Sequence, residues 1–195
     1  ELMTATYAAD DFHLREDWEK RRDGLHEFDV LKPVGGTEFL QIVTLLTRYK
    51  EFRTTGRPVS VKRGDVLNLS LEHYKENADQ AERGLGRAAR LLNRQRIFDG
   101  KNLPYSTQLV PLAAVCGYLG DRFEEDAVRS KLARWYWCGV FGEMYGGSNE
   151  TRYAMDAVDL LRWILDAGPE PRTIRDADFA PLRLLTLQSR QSAAY

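Results

Sequence analysis

Apolar residues recur at three- and four-residue steps along most of this chain of 195 residues, the spacing of amphipathic helices and not the alternation of strands. Asp11 is placed to cap a first helix over about 14–31, carrying Leu14, Trp18, Leu25 and Phe28 and ending before Pro33 and Gly35-Gly36. Thr37 is expected to cap a second, whose Phe39, Leu40, Val43, Leu46 and Tyr49 share one face. The segment Thr54 to Gly64 reads as a basic, flexible loop holding the one strand candidate, Pro58-Val59-Ser60-Val61. Asp65 opens a short turn.

Ser70 is expected to cap the longest helix, from Leu71 to Phe98, about 40 Å at 1.5 Å per residue. Ala78, Ala81, Leu85, Ala88, Ala89 and Leu92 fall on one side, and their small size lets a neighbouring helix approach closely. Glu72, Glu76, Asp79, Arg83, Arg87, Arg90 and Arg94 share the opposite stripe. With Lys101, the arginines Arg83, Arg87, Arg90 and Arg94 form a candidate nucleic-acid ridge. The competing reading is a solvated or internally paired face. Acids early and bases late complement the helix dipole, which favours that second reading.

After Asp99-Gly100, a helix capped by Ser106 or Thr107 should carry Pro111 in its first turn and run to Gly120. Asp121 to Asp126 then starts a helix that is apolar nearly all round from Leu132 to Met144, with Trp135, Tyr136, Trp137 and Phe141. It is expected to be the central helix, its aromatics packed in the core and not stacked on bases. Arg134 within it needs a carboxylate, carbonyls or an anionic ligand. Next, Tyr145-Gly146-Gly147-Ser148-Asn149 feeds a helix ending near Gly168-Pro169. A loop of this kind exposes backbone N–H groups, so Arg134, Ser148, Asn149 and Arg152 form a candidate anion site beside the plainer loop-and-cap reading. From Thr173 to Leu187 a connector with one short helix near Pro181 is expected.

Charge narrows the function. Lys and Arg total 28 against 29 Asp and Glu, which excludes a wholly basic nucleic-acid-coating protein. Cys116 and Cys138 sit in apolar sequence without disulfide or zinc spacing and read as buried thiols. No stretch is apolar enough to span a bilayer and no leader opens the chain, so no membrane partner and a cytoplasmic location are expected. Phosphate-loop, dinucleotide and zincin motifs are absent from the sequence, and His13, His26 and His73 lie far apart on polar faces. No catalytic residue, metal ligand or cofactor is assigned.

The expected architecture is all-α, an orthogonal or bundle-like single domain of six to eight helices over residues 1–195 with little or no β-structure. Both ends read as cut helices, so the chain is expected to be an interior piece, with 1–10 a stub of a preceding domain and 170–195 a connector toward a following one.

Four stretches carry a family likeness: Arg87-Ala-Ala-Arg-Leu-Leu with Gln95-Arg-Ile-Phe98, Leu103-Pro-Tyr-Ser-Thr-Gln-Leu-Val-Pro-Leu112, Lys131-Leu-Ala-Arg-Trp-Tyr-Trp-Cys138 with Tyr145-Gly-Gly-Ser-Asn-Glu-Thr-Arg152, and Leu185 to Tyr195. At these residues the chain resembles the prokaryotic restriction and anti-phage family typified by GmrSD. Its members have an N-terminal ParB/sulfiredoxin-like NTPase domain and often a C-terminal HNH-type nuclease domain. The likeness covers the helical region after the N-terminal domain. The family's Asp-Gly-Gln-Gln-Arg motif and its His-based nuclease motif are absent, so no catalytic residue carries over. The resemblance implies a coupling or scaffolding domain of an NTP-dependent endonuclease acting on modified foreign DNA. The NTP and a divalent metal would belong to the parent. The implied partners are flanking domains of the same polypeptide, DNA and a second copy.

Overall fold

The computed structural model describes residues 12–147 and 149–178, and there it is all-α, with eight α-helices and no strand. They are α1 (Leu14–Gly24), α2 (Gly36–Thr55), α3 (Arg63–Leu67), α4 (Leu71–Arg94), α5 (Leu109–Leu119), α6 (Asp126–Phe141), α7 (Glu150–Leu165) and α8 (Arg172–Arg175). Pro58 to Val61 is loop, held by the fully buried Val61. Among the described residues no helix is long and apolar enough to cross a membrane.

The centre is α5 and not, as the aromatic pattern suggested, α6. Ten of the eleven α5 residues are buried, and α2, α4 and α7 pack around it. Small side chains explain the exchange of places, because the most crowded position in a bundle goes to the helix of smallest girth. On α6, Trp135 and Tyr136 are buried while Trp137, Cys138 and Phe141 remain half-exposed. Trp137 donates its indole N–H to Gln95 Oε1 at 2.9 Å and so ties α6 to the end of α4.

Glycines set the α4–α5 spacing. A Cβ on Gly84 would stand 2.2 Å from the Ala113 carbonyl oxygen, and one on Gly117 would stand 2.7 Å from the Gln80 carbonyl oxygen. Only hydrogen fits at either place. The six small and leucine residues expected on the inner face of α4 are all fully buried.

Helix ends depart from expectation in physically readable ways. The first helix stops at Gly24 and gives way to a 3-10 turn at Asp29–Leu31, while the expected Asp11 cap lies outside the described residues. At α2 the Glu38 carboxylate accepts the Gly35 N–H at 2.9 Å, which moves the start to Gly36 and leaves Thr37 inside the first turn. Ser70 does cap α4, its Oγ accepting the His73 N–H at 3.2 Å. That helix ends at Arg94 because Arg96 turns left-handed (φ 66°), with Ile97 N–H returning to the Leu92 carbonyl at 3.0 Å. Ser106 and Thr107 form a 3-10 turn before α5 without capping it, and Pro111 is the third residue of α5, where no N–H is needed. Asn149 occupies the cap position of α7; Ser148, the 1–10 stub and the helix near Pro181 lie outside the described residues.

Candidate functional site

The α4 stripe keeps its order but not its freedom. Arg87 is largely covered, its side chain 13% exposed, and reaches the Cys116 carbonyl and Asp121, each at 3.5 Å. Arg90 donates to Glu124 at 3.2 Å and its guanidinium lies 5.7 Å from the Phe123 ring centre. Both acids come from the 3-10 turn Gly120–Glu124, which joins α5 to α6 and sets negative charge against the ridge. At the acidic end, Arg21 of α1 bridges Asp79 at 2.8 Å and Glu82 at 2.7 Å. Arg83 and Arg94 are exposed and, among the described residues, their side chains make no hydrogen bond or ion pair. Lys101 stands exposed on the 3-10 turn Gly100–Asn102. A groove of about 390 Å³ runs beside Arg83, Arg87 and Arg90 and is also lined by Phe28, Glu27 and Glu82.

The candidate anion residues separate. Arg134 is taken by Glu170 through both oxygens, at 2.5 and 3.2 Å. Asn149 turns inward and donates its amide to the Tyr145 carbonyl at 3.2 Å. Arg152 donates to Thr173 Oγ1 at 3.0 Å. Ser148 is outside the described residues.

What the fold assembles there instead is a buried polar cluster centred on Asp156 of α7, which is fully buried. Thr173 of α8 donates its hydroxyl to Asp156 Oδ1 at 2.6 Å, and the Tyr145 hydroxyl donates to Oδ2. The Trp135 indole lies on the same carboxylate short of a formed hydrogen bond. Burial pushes the Asp156 carboxyl above its ordinary range, and the Thr173 and Tyr145 hydrogen bonds and the Arg152 charge oppose that shift. Tyr145 is itself driven well up, by burial first and then by Asp156. At neutral pH Tyr145 therefore stays a donor.

Asp156 was not singled out from the sequence, although a signal existed. On α7 the buried positions Tyr153, Ala157, Leu160 and Ile164 repeat at three and four, and Asp156 falls within that apolar stripe. A lone acid there requires partners. Among the described residues no group of three or more His, Cys, Asp or Glu side chains could hold a metal ion. His13 and His26 are exposed and His73 is half-buried. No family model, no curated protein and no solved structure matches the chain.

Fold and clusters together define an all-α domain in which most charged side chains near the candidate sites join one helix or turn to another.

Proposed function

We propose that this chain is the helical middle domain of a GmrSD-like, NTP-dependent endonuclease that restricts modified foreign DNA, working in the cytoplasm as a coupling or scaffolding body without chemistry of its own. Its partners are the flanking domains, with DNA and a second copy reached through the assembled parent. The NTP and divalent metal act in those other domains. The supporting observation is the pairing of charge within the chain: Arg21, Arg87, Arg90 and Arg134 each pair with an acid from another element. Side chains engaged in this way tie elements of one body together, which fits a scaffold better than a substrate site. The test is cleavage of modified DNA with NTP. The intact parent should cut, the isolated chain should not, and cutting by the isolated chain overturns the reading.

A second reading is a nucleic-acid-binding helical module using Arg83, Arg87, Arg90, Arg94 and Lys101. The unpaired Arg83 and Arg94 and the groove beside Phe28 favour it. Binding of a single-stranded oligonucleotide should then weaken steeply with salt and vanish in Arg83→Glu/Arg94→Glu. Salt-independent binding excludes it.

A further inference from the structure

The eight residues from Pro169 to Asp176 leave the end of α7, and polar side chains fasten them more than apolar ones do. Glu170 is clamped by Arg134 of α6. Arg172 forks onto Asp159 of α7, at 2.8 and 3.1 Å, while its own N–H meets Asp159 at 3.1 Å. Thr173 closes over Asp156 and accepts from Arg152. Against these stand only Pro171 and Ile174 as buried apolar side chains. A helix of four residues has no stability of its own. Arg134, Glu170 and Arg172 remain 54%, 38% and 48% exposed, so their ion pairs are open to screening.

The segment begins just past the cap of α7, where the Gly168 N–H bonds back to the Arg162 carbonyl at 3.0 Å. Ala167 adopts φ 51°, a left-handed conformation unfavourable for a residue with a Cβ, and Gly168 and Pro169 follow it. Because that cap holds Gly168 to α7, rotation at Pro169 and beyond would carry α8 away without disturbing α7. We propose that residues 169–176 are a charge-fastened strap that comes away from α6 and α7 beyond Gly168, losing its single helical turn as it does so because four residues hold no helix alone, and that when open bares Asp156, Tyr145 and Arg152. A polar cluster of carboxylate, phenol and guanidinium then meets solvent. This deepens the coupling reading by naming the moving part, yet it is measured on this chain alone. A failed strap therefore leaves the parent's cleavage assay unaffected, and a failed cleavage assay leaves the strap measurement valid.

Three amides report the strap: Ile174 and Arg175 N–H both bond to the Pro171 carbonyl, and Asp176 N–H bonds to the Arg172 carbonyl. In hydrogen exchange they should open together, faster than the amides of α5. Raising the salt, or the surface change Glu170→Gln, should speed all three by a common factor of about three to ten while α5 stays unchanged. Hydroxyl-radical footprinting at Tyr145 should rise in step. Exchange as slow as that of α5, insensitivity to salt and to Glu170→Gln, or unequal factors at the three amides would overturn the strap. Faster amides with unchanged Tyr145 footprinting would overturn the baring of the cluster.

Discussion

The seam between α4 and α5 and the corner where α8 meets α6 and α7 are joined by opposite means. At the seam, Gly84 and Gly117 let two backbones touch, and what matters is the lack of side-chain atoms. At the corner, Tyr145, Thr173 and Arg152 surround a buried carboxylate, and what matters is that both hydroxyls and the guanidinium find acceptors. Close packing fails when an atom is added; a polar cluster fails when a partner is taken away.

The largest expected effect lies at the seam. Gly84→Ala sets a methyl 2.2 Å from the Ala113 carbonyl, backbone that cannot swing aside, and should cost at least about 3 kcal/mol in urea unfolding. A loss below about 1 kcal/mol would mean the helices separate easily. Next comes the corner. Asp156→Ala leaves the Tyr145 and Thr173 hydroxyls buried without their acceptor and should cost about 2–4 kcal/mol.

The same carboxyl predicts a pH trend. Its folded pKa is raised, so between its ordinary and its raised value the folded state holds the proton that the unfolded state has lost. Stability relative to Asp156→Asn should therefore fall as pH rises from about 4, and level off above the raised value. Urea midpoints of the two proteins across pH give the sign, and an opposite slope would show an acid stabilised by charge. Smallest is Gly86→Ala, one turn-half from Gly84 along α4 but with its nearest outside atoms 4.0 Å away. It should gain about 0.5–1 kcal/mol, and a loss would mean that crowding extends beyond the seam.

The seam was more legible than the corner. Alanines at 78, 81, 88 and 89 announce a close helix neighbour, and the Ser70 cap follows from local chemistry. The place where α4 stops was not legible, because Arg96 has no side-chain property that calls for a left-handed backbone. Nor was the ranking of α5 above α6, since aromatic bulk signals burial without saying which helix fits the narrowest space. The need of Arg134 for a partner is legible in its apolar helix, but Glu170 lies 36 residues away and no local spacing links them. Asp156 shows the same limit. Its oddity is visible in one helix, while Thr173 and Tyr145 arrive from other elements.

The middle of α5 also holds a built-in clock. Cys116 has no exposure, and burial drives its thiol far above the range in which thiolate forms. An alkylating reagent can reach that sulfur only after the surrounding helices part. Once the half-exposed Cys138 is blocked or replaced, the rate of labelling at Cys116 reads how often the whole assembly comes undone.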